Sequence, residues 1–127
     1  MKAIYFTIDD SPSEHMIEKV DFLYERKIPA CFFCRGELLA ENKPGVVYAI
    51  KQGFAVGNHS YSHPFFSETE NETFFNEILQ TEKLIDECYQ LAGCPRLGKF
   101  IRLPFTVYRL PFTVWRSRCR RLSEKSC

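Results

Sequence analysis

No apolar run in this 127-residue chain is long enough to cross a bilayer, which takes about 20 such residues. The run that follows Met1-Lys2 is only about six residues long, also too short for the core of a secretory signal. The expected location is therefore the cytoplasm. Net charge is nearly absent, because 17 Lys and Arg face 16 Asp and Glu. Histidine is scarce: there are three, and none lies beyond His63. Apolar content, by contrast, is ample. The chain is 45% hydrophobic and 15% aromatic, with twelve Phe. That excludes a disordered segment and supports one domain with a filled interior.

The small net charge hides an asymmetry. From Lys99 onward eight basic residues face a single acidic one, Glu124. Such a tail attracts nucleic acid or an acidic glycan in one reading and is an exposed, irregular end in the other. The second is preferred, and no nucleic-acid partner is expected. The six cysteines are Cys31, Cys34, Cys88, Cys94, Cys119 and Cys127. Their even number would suit disulfides in an exported protein, but the missing leader argues against export. Cys31-Phe-Phe-Cys34 has a redox or zinc spacing. It lies in a strand-like run, where positions three apart face opposite sides, and is read as structural.

The pattern along the chain alternates strand and helix. Ala3 to Ile8 reads as a buried strand ended by Asp9-Asp10. Ser11-Pro12-Ser13-Glu14 resembles a capping box, with Ser11 as cap and a helix to about Lys27. Pro29 to Cys34 is a second strand. Short helices near 37–40 and 45–51 follow, then a third strand from Phe54 to Val56. Ser67-Glu68-Thr69-Glu70 opens the longest helix, to about Leu91, with Phe74, Ile78, Ile85 and Cys88 on one face and Gly93 as its stop. Lys99 to Leu103 is a fourth strand. This order predicts an α/β fold of about four parallel strands with outer helices. Residues 102–108 and 109–115 then repeat one another at six of seven positions. The domain is expected to occupy 1–105, and 106–127 to be an irregular basic tail.

In parallel α/β folds chemistry gathers at the C-terminal ends of strands. Asp9 and Asp10 follow the first strand, His59 and His63 the third, and Arg102 closes the fourth. Asp10, His59 and His63 offer one oxygen and two nitrogens, the donor set of an open hydrolytic metal site. Asp9 is a spare carboxylate placed to act as a base, and Arg102 a cation able to keep it ionised. The combination suits hydrolysis of an amide or ester.

At these residues the sequence resembles the polysaccharide deacetylase family, the NodB-homology or carbohydrate esterase 4 domain. Thr7-Ile8-Asp9-Asp10-Ser11-Pro12 is similar to its T-F-D-D-G-P motif. His59-Ser60-Tyr61-Ser62-His63 matches H-[ST]-x-x-H, and Arg102-Leu103-Pro104-Phe105 resembles R-x-P-[YF]. Ala30-Cys31-Phe32-Phe33 is similar to the family's A-T-F-F strand. The resemblance implies a partial (β/α) barrel of the NodB type. It implies Asp9 as catalytic base, oriented by Arg102, with Asp10, His59 and His63 holding a divalent metal, zinc being the first choice. Pro104 and Phe105 would line the substrate groove, and the Phe105 N–H would help hold an oxyanion. The implied substrate is an acetylated carbohydrate, N-acetyl or O-acetyl.

The sequence also departs from the family pattern. Ser11 stands where Gly is usual, and Thr106 where a small turn residue is usual. The fourth and fifth motifs are missing, including the L-x-H histidine that protonates the leaving amine. Closed barrels take about 250 residues. The alternative expectation is therefore a truncated, catalytically silent fragment that keeps only the metal site.

Overall fold

A computed structural model describes residues 4–105. Three strands and four helices alternate along the chain: β1 (Phe6–Ser11), α1 (Met16–Glu25), β2 (Ala30–Cys34), α2 (Gly36–Glu41), α3 (Lys43–Lys51), β3 (Ala55–Asn58) and α4 (Asn71–Ala92). A short 3-10 turn at Phe66–Glu68 precedes α4. The strands form one parallel sheet in the order β1-β2-β3, with Ile8 beside Phe32 and Phe32 beside Val56. The tandem repeat beyond its first four residues, with the rest of 106–127, lies outside the described residues.

The central strand explains the layering. All five residues of β2, Ala-Cys-Phe-Phe-Cys, are buried, as a parallel strand covered on both faces requires. Phe32 meets Phe54 edge-on at 5.7 Å. Around it pack Met16 and Val20 of α1, Leu39 of α2, Val46 and Ile50 of α3, and Ile85 of α4, each nearly inaccessible. Phe74, Ile78, Ile85 and Cys88 form the buried face of α4 as expected, joined by Thr81. Gly93 ends α4 at φ 68°, and its N–H donates to the Gln90 carbonyl.

Several boundaries differ from those expected. β1 runs through Asp9 and Asp10 to Ser11, because the Ser11 carbonyl accepts from the Arg35 N–H at 2.9 Å and Ser11 is itself buried. Ser11 is thus a strand end and not a helix cap. α1 begins only at Met16, after His15, with no side-chain cap. Among the described residues β1 is an edge strand, and its start is less buried than its apolar sequence suggests: Ile4, Tyr5 and Phe6 are exposed. The box at 67–70 belongs to the 3-10 turn and the linker, and α4 starts at Asn71. The fourth strand shrinks to one parallel bridge between Asn58 and Ile101. Two residues earlier on β3, the Val56 N–H donates to the Tyr89 hydroxyl at 3.3 Å and not to this segment.

Cys31, Cys34 and Cys88 are buried. Burial pushes the Cys34 thiol well up and the Cys88 thiol up to about 11, which suits packing and not thiolate chemistry. Among the described residues no helix is long and apolar enough to cross a membrane.

Candidate active site

The site is assembled at the C-terminal rim of the sheet. Strict alternation would send the adjacent Asp9 and Asp10 to opposite faces of β1. The ladder slips between Ile8 and Ser11, and Asp10 takes a left-handed φ of 55°. An irregularity of this kind re-aims a side chain. Both carboxylates reach the rim as a result, each with a different partner.

Asp9 Oδ1 accepts from Arg102 Nη1 at 2.6 Å. The same nitrogen donates to Thr7 Oγ1 at 3.0 Å, and the guanidinium lies 4.4 Å above the Phe33 ring centroid. Three neighbours therefore fix Arg102, and Arg102 fixes Asp9. Charge-assisted bonds of this length are among the stronger ones in proteins and hold both partners in place.

Asp10 Oδ1 lies 3.8 Å from His59 Nε2 and 3.6 Å from His63 Nε2. The two Nε2 atoms are 3.1 Å apart. All three donor atoms fall within 4.8 Å of one another. Ligands with metal bonds of about 2.0–2.2 Å stand roughly 3–4 Å from each other, so these residues fit a common divalent ion. His59 is buried, and its Nδ1 is 2.7 Å from the Arg102 carbonyl oxygen. That carbonyl only accepts, so Nδ1 carries the proton and Nε2 keeps its lone pair toward Asp10 and His63. Burial lowers the His59 pKa, and His63 lowers it further. The Arg102 carbonyl, Asp9 and Asp10 act in the opposite direction. The ring is thereby held as the neutral imidazole that a metal needs.

Phe105 is half-exposed on the same rim. Its ring stacks on Phe65 at 3.9 Å and meets the His63 ring edge-on at 4.6 Å. Pro104 is fully buried and offers the rim little surface. His15, the third histidine, is exposed and away from this cluster, beside Glu14 and Glu18.

Sequence reasoning missed several supporting residues. Arg35, just after β2, places Nη1 3.9 Å from Asp10 Oδ1 and pairs with Glu37. Asn58 is fully buried. It donates to the Ile78 carbonyl and to Glu82, and its Oδ1 accepts from the Ser60 N–H. Glu77 of α4 accepts from the Tyr61 and Ser62 N–H groups. Asn58 stood beside the histidine motif in the sequence, but no spacing rule singled it out. Glu77 read as one more polar residue on a helix.

The comparisons address the fold and family. The sequence model described as polysaccharide deacetylase matches residues 1–124. The chain belongs to the polysaccharide deacetylase family. A peptidoglycan-N-acetylglucosamine deacetylase of Bacillus cereus is 36% identical over 104 residues, covering 80% of this chain and 36% of that protein. A chitooligosaccharide deacetylase of Rhizobium leguminosarum bv. trifolii is 33% identical over 93 residues, covering 72% of this chain and 43% of that protein. Among solved structures, a family 4 carbohydrate esterase from Streptomyces lividans in complex with acetate superposes with a TM-score of 0.71 at 28% identity. It covers 80% of this chain and 50% of that one. Peptidoglycan deacetylase PdaC from Bacillus subtilis gives 0.72 at 28% identity, covering 82% and 50%. The chain of this polysaccharide deacetylase family member thus spans between about a third and a half of these relatives. The three-stranded parallel sheet with its helices is a partial barrel of the NodB-homology type.

Proposed function

We propose that this chain carries the metal-binding and base-bearing part of a site that hydrolyses acetyl groups on an acetylated carbohydrate. The observation that supports it best is the meeting of two distinct clusters on one rim. One is the Asp10–His59–His63 donor set, and the other is the Asp9–Arg102 ion pair beside it. The relatives act, by their names, on N-acetylglucosamine of peptidoglycan and on chitooligosaccharides. An N-acetylglucosamine oligomer is therefore the first substrate to test.

Asp10, His59 and His63 would hold the divalent ion, with zinc favoured by the two imidazoles. Such an ion supplies a Lewis acid that activates water and polarises the acetyl carbonyl. Asp9 removes the proton of the attacking water. Arg102 holds the Asp9 carboxylate in place through the 2.6 Å bond. The Arg102 carbonyl holds the proton on His59 Nδ1, which would leave the Nε2 lone pair to bind the ion. Phe105 and Phe65 present a flat apolar surface beside His63, against which the face of a sugar ring can lie.

The test is acetate release from an N-acetylglucosamine oligomer by the zinc-loaded chain. The expected result is release that falls by about 10²–10⁴ in Asp9→Asn while zinc binding persists. Absence of release with zinc still bound supports a second reading, a silent member that keeps only the metal site.

A further inference from the structure

The two histidines converge only because the five-residue segment from His59 to His63 holds an unusual shape. Ser60 and His63 have φ of 65° and 61°, a left-handed conformation that side chains with a Cβ disfavour. Such a segment must be held by its surroundings. Its four N–H groups after His59 show how. Ser60 N–H donates to Asn58 Oδ1 at 2.9 Å, and His63 N–H to Ser60 Oγ at 3.2 Å. These two bonds stay within residues 58–63. The other two leave it. Tyr61 N–H and Ser62 N–H both donate to Glu77 Oε2, at 3.2 and 3.0 Å, and Ser62 Oγ donates to Glu77 Oε1 at 2.5 Å. Successive N–H groups that point one way form a cradle for an anion. Here a carboxylate from α4 fills it. The Ser60 and Tyr61 carbonyls in turn accept from the Gly36 and Glu37 N–H groups of α2, at 2.9 and 3.2 Å.

We propose that Glu77 is a positioning residue for the metal centre. Its carboxylate clamps residues 61–62 to α4 and so sets the separation of His59 from His63. Glu77 lies outside the Asp10–His59–His63 donor set and acts through the backbone between the two imidazoles. The proposal rests on the metal-site reading above and adds the part that preorganises it. The clamp depends on reach and on acceptor oxygens. A Gln at 77 can still turn its amide oxygen to the two N–H groups and its NH₂ to Ser62 Oγ. An Asp is one methylene too short to span both.

The test is zinc titration of the whole chain by calorimetry, paired with the visible spectrum of the cobalt-loaded protein and thermal melting with and without zinc. Glu77→Ala is expected to weaken zinc binding at least roughly ten-fold, as loss of an outer-shell partner does, to shift the cobalt bands and to shrink the zinc-induced rise in Tm. Glu77→Gln is expected to restore most of the affinity, and Gln80→Ala, an exposed neighbour on the same helix, to leave it unchanged. If Glu77→Ala does not fold, Glu77→Asp takes its place, with weakened binding and a shifted spectrum again expected. A folded Ala or Asp variant with wild-type affinity and spectrum overturns the clamp. A wild-type chain that binds no zinc overturns the metal-site reading instead, so the two failures are distinct.

Discussion

At the scale of single residues, the site depends on groups that serve two purposes. Arg102 gives its guanidinium to Asp9 and its carbonyl to His59. One residue therefore holds both the proposed base and the tautomer of a proposed ligand. His59 also makes the metal-free chain sensitive to pH. Its folded pKa is lowered, chiefly by burial, whereas the unfolded ring titrates near 6.5. Between those values the unfolded chain binds more protons than the folded one, so stability rises with pH. The contribution is fully present above about pH 6.5 and is lost as pH falls through the lower folded value. Urea midpoints of the metal-free chain are expected to drop from pH 7.5 to 5.5, and to drop less in His59→Asn. Equal slopes in the two proteins would contradict this account.

At the scale of elements, β3 and the segment after α4 carry the geometry inward. Gly57 shows why. A Cβ at this position would stand 2.7 Å from Phe33 Cε1 and 3.2 Å from the Phe100 carbonyl oxygen. Phe33 is the ring beneath the Arg102 guanidinium, and Phe100 O accepts from the Asn58 N–H. Gly57→Ala therefore presses on Asp9's partner and on the strand-like pairing at once. Overpacking of this kind costs about 1–3 kcal/mol. The expected outcome is a lower Tm, together with a lower rate of acetate release if the chain is active. An unchanged Tm would show that the Phe33 ring gives way freely. Elements were legible in the sequence where one physical signal dominated. The buried run 30–34, the apolar stripe of α4 and the Gly93 stop were of this kind. They failed where a local signal met a tertiary competitor. Ser11 has the composition of a helix cap, yet the sheet ladder claims its carbonyl through Arg35. The segment 99–103 has strand composition, yet it pairs with β3 by one bridge at Asn58, while the Val56 N–H is taken by the Tyr89 hydroxyl.

At the scale of the whole molecule, the family and the partial barrel follow from motifs whose order survives in three dimensions. Asp9, Asp10, His59, His63 and Arg102 come from distant stretches and meet on one rim. Their residue types and strand placement made that meeting readable in advance. What was not readable is the scaffold that shapes the histidine segment. Asn58, Glu77 and Arg35 act through backbone bonds whose partners are set by the fold and leave no spacing pattern. Pro104 illustrates the converse: its motif was recognisable, but only the fold reveals that its side chain is buried while Phe105 stays at the rim. The chain covers at most half of the solved relatives named above. Binding of the metal, which needs only residues present here, is thus a more direct test than turnover.

Titration of zinc into the metal-free chain, beside His63→Ala and Asp10→Ala, tests the central claim most directly. One zinc per chain is expected, with affinity reduced by at least about ten-fold in either variant and with the fold retained by circular dichroism. Zinc binding of equal strength in all three proteins, or none in the wild-type chain, would contradict the account.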